Sequence, residues 1–218
     1  MSLFPRSPRL VKVGIVVIDP DTRQVIRIIP LQYNPDSLTR TFQVQAGGSD
    51  TNGNPSEALM LKGLPIETIR FDAELDATDL LEMADSTAVE NGINPTLSAL
   101  ETLIYPSSAQ LHLRANMINS GILEVPPWEA PFTVFVWGRK LIVPVRITEF
   151  SVTEEAFDSS LNPIRAKVSI GMRVLSVDDL GFNHLGGSLY MMYLQEKEQM
   201  AARSKSGALE PLGLGGIP

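Results

Sequence analysis

Asp72, Glu74 and Asp76 place three carboxylates at every second position of one segment. Alternate residues of an extended strand project to the same side, roughly 7 Å apart. Paired carboxylates at such a separation can carry out acid–base hydrolysis of a glycoside. The commoner use of the spacing is a solvated or lumen-facing side of a strand. Aromatic residues make up only 6% of the chain, so nothing supplies a sugar-stacking platform beside the carboxylates.

The other chemistry-bearing residues are few. His112 and His184 are the two histidines, and neither sits in a metal-ligand motif such as HExxH. Gly47-Gly48-Ser49 and Gly186-Gly187-Ser188 are glycine-rich, yet no P-loop lysine follows either and neither matches GxSxG or GxGxxG. The second reads better as a turn into a helix capped by Ser188. The chain has no cysteine, which excludes disulfides, thiolate metal sites and cysteine nucleophiles. No catalytic residue, metal or cofactor is therefore expected. Tyr190, Met191, Met192 and Tyr193 form an apolar block, read either as docking on the protein's own core or as an anchor for a neighbouring chain.

Seven extended runs and at least two helices must position these groups. The runs 11–18 (VKVGIVVI) and 25–31 (VIRIIPL) flank Asp19-Pro20-Asp21 and read as a hairpin. The run 38–45 (LTRTFQVQ) alternates with period two, with Arg40 the exception on its apolar side. In 66–75, Ile69, Phe71, Ala73 and Leu75 face one way, while Arg70, Asp72 and Glu74 face the other, followed by Asp76. The runs 132–137, 141–150 and 166–174 supply three more strands, the first two joined by a tight turn at Gly138-Arg139-Lys140. Leu80, Leu81 and Ala84 suit a short helix. Asn94-Pro95 caps a longer one with Leu97, Leu100, Leu103 and Ile104 at helical spacing, ended by Pro106. Residues 189–202 read as a final helix. The 46–57 segment (AGGSDTNGNPSE) is the clearest loop, and 207–218 a Gly/Pro-rich flexible tail.

Bulk properties narrow the function. A formal net charge of −7 disfavours phosphate backbones, so nucleic acid is not an expected partner. Mean hydropathy of +0.06 is slightly apolar for a soluble monomer and points to surface covered by other chains. Residues 1–10 have no apolar h-region, and no stretch approaches a membrane span, so cytoplasmic synthesis is expected. The expected fold class is mainly β with one or two helices: a β-barrel or β-sandwich, a packed helix and a C-terminal helical extension.

Three stretches together carry a family resemblance. Residues 31–42 (LQYNPDSLTRTF) resemble the F-N-P-x-S-x-x-R element near the start of the tube-type domain of contractile injection system proteins. Residues 61–71 (LKGLPIETIRF) resemble the segment that returns to the sheet after the first loop. Residues 126–173 resemble the end of that domain: a proline pair, a strand closing on Trp137-Gly138, and Asn162-Pro163-Ile164-Arg165. The resemblance covers roughly 11–175. It implies a tube-type β domain at 1–177 and a helical extension with a flexible tail at 178–218. Many relatives carry a LysM module here, and this extension is too short and too helical for one.

The resemblance further implies a hexameric baseplate or tube-initiator adaptor, similar to phage tail tube proteins and housed in a phage tail-like particle. Its partners would be itself, the spike hub, the inner tube protein and other baseplate proteins. Arg40, Asp72, Glu74, Asp76, Tyr190, Met191, Met192 and Tyr193 are the candidate interface residues. Asp72, Glu74 and Asp76 could line an acidic channel, and Arg40 needs a carboxylate partner, for which the next subunit is one source. The alternatives are a wall-degrading baseplate hydrolase acting through the three carboxylates, and a monomeric protein-binding module using the long loop and final helix.

Overall fold

The computed structural model describes residues 11–46, 60–121 and 130–204. Apart from Ala46, the 46–57 loop with Gly47-Gly48-Ser49 lies outside the described residues, as do the Pro126-Pro127 pair and the 207–218 tail.

Each extended run forms a strand. They are β1 (Gly14–Ile18), β2 (Val25–Pro30), β3 (Thr39–Gln43), β4 (Ile66–Asp76), β5 (Thr133–Trp137), β6 (Leu141–Phe157) and β7 (Pro163–Val174). Asp19 closes the first hairpin by accepting from the backbone N–H groups of Asp21 and Thr22 at 2.9 and 3.1 Å. The strands form one seven-stranded antiparallel sheet in the order β2-β1-β5-β6-β7-β4-β3. The chain is thus mainly β, and its sheet stays open, with β2 and β3 at the two ends of the order.

The sheet curls strongly about its apolar face. Phe71 of β4 and Phe135 of β5 stack with ring centroids 5.4 Å apart, although their strands lie three places apart in the order. A flat sheet would hold them at least about 14 Å apart. Trp137 completes the trio, 6.5 Å from Phe71 and 6.1 Å from Phe135. The curl encloses Ile15, Ile69, Leu75, Val143, Val168, Ile170 and Met172, all essentially buried. Register irregularities in β6 beyond Ile147 and Glu154 add the bending and twist that a curled sheet needs.

β6 has two roles along its length. Residues 141–145 pair with β5, and residues 145–157 pair with β7. From Arg146 onward, the flank of β6 toward β5 has no strand partner among the described residues. The burial agrees: no residue of 146–157 is buried, while Val168, Ile170 and Met172 across the ladder are closed off. The distal half of β6 is therefore a third free edge, longer than β2 or β3.

Between β4 and β5 lie α1 (Thr78–Glu82), α2 (Ser86–Asn91), α3 (Asn94–Glu101) and α4 (Ser108–Asn119). α3 is the expected Asn94-Pro95 helix, with the cap one residue earlier at Ile93. Leu97 and Leu100 seat it on the core, and Thr102 just after it accepts from Arg27 of β2 at 2.8 Å. α4 begins with a full capping box between Ser107 and Gln110 and buries none of its residues.

α5 (Val177–Leu180) and α6 (Leu185–Arg203) follow β7. α6 starts before Ser188, which is inside it. His184 is its cap, its Nδ1 accepting from the Gly186 N–H at 3.0 Å while its ring edge meets Phe132 at 5.0 Å. The glycine pair is a packing requirement. A Cβ on Gly187 would lie 2.0 Å from the Gly181 carbonyl oxygen, so the helix touches the preceding turn backbone to backbone. Gly→Ala inside a helix ordinarily gains up to about 1 kcal/mol. Gly187→Ala is expected to reverse that sign and cost about 1–3 kcal/mol through overpacking, read as a lower urea midpoint, while exposed Ser188→Ala changes little.

Candidate functional site

β4 is the strand that organises the candidate residues, because its two sides carry different chemistry. Glu67, Ile69, Phe71, Ala73 and Leu75 point into the curl. Arg70, Asp72, Glu74 and Asp76 lie on the opposite face, as their alternation predicts.

That outer face is not an acidic stripe. The antiparallel register sets Ser169, Lys167 and Arg165 of β7 directly opposite Asp72, Glu74 and Asp76. The Ser169 hydroxyl donates to Asp72. Arg165 Nε donates to Asp76 at 2.8 Å, Lys167 pairs with Glu155 at 3.1 Å, and Arg70 pairs with Glu149 at 2.6 Å. The three carboxylates thus sit on a polar face of interleaved charge, since bases distant in sequence enter the same face across the ladder. Asp72, Glu74, Lys167, Ser151, Thr153 and the 33–37 turn border an open hollow of about 790 Å³.

Asp76 is poorly suited to act as a general acid in hydrolysis. A general acid at neutral pH needs a carboxyl raised above its ordinary range. Asp76 goes the other way: hydrogen bonds from Thr78 hold its carboxyl below the usual range, with Arg165 adding to the effect. Among the described residues, no group of three or more His, Asp or Glu side chains could hold a metal ion.

On the inner side, Glu67 is a buried carboxylate surrounded by donors. Arg40 of β3 approaches it with Nε at 2.8 Å and Nη2 at 2.7 Å. Tyr193 of α6 donates its hydroxyl at 2.9 Å and accepts from Arg40, and Lys197 reaches the other carboxylate oxygen at 3.2 Å. Burial, together with the Glu67 charge, pushes the Tyr193 hydroxyl well up, which keeps it a donor. Burial pushes Lys197 down, opposed by Glu67. Lys197 also stands 4.1 Å over the Tyr193 ring and 5.0 Å over Phe42.

The carboxylate that Arg40 requires is thus in its own chain. Glu67 and Lys197 escaped the sequence reading, but parity carried a signal. Glu67 falls on the apolar side of β4 just as Arg40 falls on the apolar side of β3, and two such exceptions on neighbouring strands pair naturally. The 190–193 block divides: Tyr190 and Tyr193 are buried against the core, while Met192 is 65% exposed and Met191 is half-buried.

The 31–42 segment ties three strands together. Asn34 accepts from Val13 N–H at 3.0 Å and donates to the Val11 carbonyl at 2.9 Å, clamping the start of β1. Gln32 bonds both backbone groups of Asp76 at the end of β4, at 2.8 and 2.6 Å. Arg40 adds the Glu67 pair.

An open, curled sheet with a polar outer face and three strand flanks that have no partner among the described residues defines a β protein suited to extension by further strands. The sequence matches the family described as contractile injection system tube protein over residues 9–179, and the chain belongs to that family. The family is a structural one of tail-like particles, which points away from catalysis. Among solved structures, a chain in "Tail of empty GTA particle computed with helical refinement, C6 symmetry" is similar, with TM-score 0.33 and 12% identity, over 75% of this chain and 90% of that one. Comparison with curated proteins gives no match. No helix among the described residues is long and apolar enough to cross a membrane.

Two outcomes follow from the ion pairs. Glu67→Gln leaves Arg40 and Lys197 without their carboxylate. Both are partly open to water, so the expected loss is about 1–3 kcal/mol in urea unfolding. For Asp76, the folded state binds its proton more weakly than the unfolded state. Its stabilisation is complete above the unfolded value of about 4 and is lost as pH falls through the lower folded value. Asp76→Asn should therefore flatten the acid limb of a stability-versus-pH curve below about pH 4 and leave its slope near pH 7 unchanged.

Proposed function

We propose that this chain is a ring-forming adaptor of a contractile injection system, joining the spike hub to the inner tube as a hexamer. The observation that carries the proposal is the four-strand layer β6-β7-β4-β3, which has a polar outer face and a free strand flank at each side. Successive strands in it are antiparallel, so β6 and β4 run one way and β7 and β3 the other. When copies are related by rotation about a ring axis, β3 of one copy meets the distal half of β6 of the next in antiparallel sense. Head-to-tail contacts of this kind close into rings. Backbone hydrogen bonds across copies supply affinity, and the apolar rows of Phe150 and Val152 gain cover.

In this arrangement the face bearing Asp72, Glu74 and Asp76 lines the lumen. Its balanced charge suits passage of cargo without strong adhesion. Residues 1–177 act as the ring body. The described part of the extension, residues 178–204, belongs to the contacts outside the lumen, where exposed Met192 is available to a baseplate partner. Placement at the base of the tube, rather than along it, rests on the resemblance of the 31–42, 61–71 and 126–173 elements.

The test is the native mass of the chain co-expressed with its neighbouring spike and tube proteins. A hexamer bound to a trimeric hub is expected, with amide protection appearing along 147–157 on assembly. A monomer that ignores both partners would remove the proposal.

A further inference from the structure

The Glu67 cluster is short of negative charge. Arg40 and Lys197 share its one carboxylate, although their side chains are only 30% and 38% exposed. Arg40 commits Nε and Nη2 to Glu67 and Tyr193, and its Nη1 has no hydrogen-bond partner among the described residues. At Lys197 burial outweighs the pull of Glu67. Phe42, itself 44% exposed, lies 5.1 Å from the Arg40 guanidinium and 5.0 Å from the Lys197 ammonium. The whole group stands on β3, the end strand of the sheet. Two half-withdrawn cations with unused donors are completed by a further carboxylate.

The distal half of β6 carries three carboxylates, Glu149, Glu154 and Glu155. Glu149 and Glu155 pair with Arg70 and Lys167 on the outer face. Glu154 is different. It is level with buried Ala166 and shares the inner side with Phe150 and Val152. It is exposed, and it makes no hydrogen bond or ion pair among the described residues.

We infer that Glu154 of one copy supplies the second carboxylate to Arg40 and Lys197 of the next. The inference rests on the head-to-tail ring proposed above. Within one chain the ladder sets Arg40, Ile69, Met172 and Ile147 in one row. Between copies the row is displaced. Strands of a closed barrel tilt by about 35–45°, so a layer of four strands about 4.8 Å apart offsets copies at equal height by about 14–19 Å, or roughly four to six residues. β5 already fills the flank of β6 at 141–145, so the offset runs toward Phe157. An even offset keeps inner side beside inner side.

Counted along the ladder, an offset of about four residues sets the incoming Arg40 beside Val152, and one of about six sets it beside Glu154. In either case Glu154 is directly opposite or diagonal, within reach of a long side chain. Phe42 falls beside Phe150 or Val152, apolar on apolar, and brings Lys197 with it. Gln43 falls beside Glu149 or Ser151, clear of β5.

The test uses the full chain co-expressed with its spike and tube proteins. A zero-length carbodiimide joins a carboxylate to a touching amine with loss of water. In the hexamer it should give covalent multimers that carry a Glu154–Lys197 link, identified by mass spectrometry, beside the Glu67–Lys197 link within each chain. Glu154→Lys should weaken hexamer formation by about tenfold or more. Its circular dichroism spectrum and urea midpoint should stay unchanged, because Glu154 has no partner in its own chain among the described residues. Hexamers in which Lys197 links only to Glu67, or to a carboxylate of the spike or tube protein, would overturn the inference and leave the ring standing. Wild-type assembly by Glu154→Lys would do the same. A monomeric native mass for the unmodified chain would overturn both.

Discussion

A carboxylate placed on the apolar side of a strand has to be enclosed by donors, and Glu67 draws its donors from two other parts of the chain. Arg40 comes from the end strand β3, and Tyr193 and Lys197 come from the last helix. An uncompensated buried charge is costly enough to drive all of them to one place. The arrangement locks β3 against β4 and pins α6 across them. The end strand β3 is consequently held from behind, and its outward flank has no strand partner among the described residues.

A sheet with this much curl would be expected to close on itself. The Phe71–Phe135–Trp137 stack brings distant strands together through side chains, but the backbone ladder is never completed. The apolar interior is satisfied within one chain, while among the described residues three strand flanks keep their main-chain groups without a strand partner. Folding thereby relies on buried side chains and leaves the backbone groups of these flanks available.

Much of the architecture was legible from period-two alternation and turn residues. All seven strands were visible, because β-branched runs between Asp-Pro, Asn-Pro and Gly-rich breaks leave few other readings. β6 was cut short at Phe150, since the irregularities after Ile147 and Glu154 disturb the alternation a reader counts. α4 was passed over because its apolar residues Leu111, Leu113 and Ile118 do not form one stripe, although Ser107 and Gln110 mark its start. The cap of α6 was misplaced by preferring Ser188 over His184, since imidazole capping has no strong sequence signature. The mixed charge of the outer face was not visible at all. It depends on register, which puts Arg165 and Lys167 beside carboxylates some ninety residues earlier.

β6 belongs to two layers, its first residues paired with β5 and the rest with β7. Load applied to such a strand along its axis is carried by covalent bonds from one layer into the other. The two ladders on either side of the junction are then stressed in shear, with many hydrogen bonds loaded at once, rather than unzipped one by one. A chain pushed or pulled along the direction of β6 resists as a unit, and the register of β5 and β7 against it is kept under load.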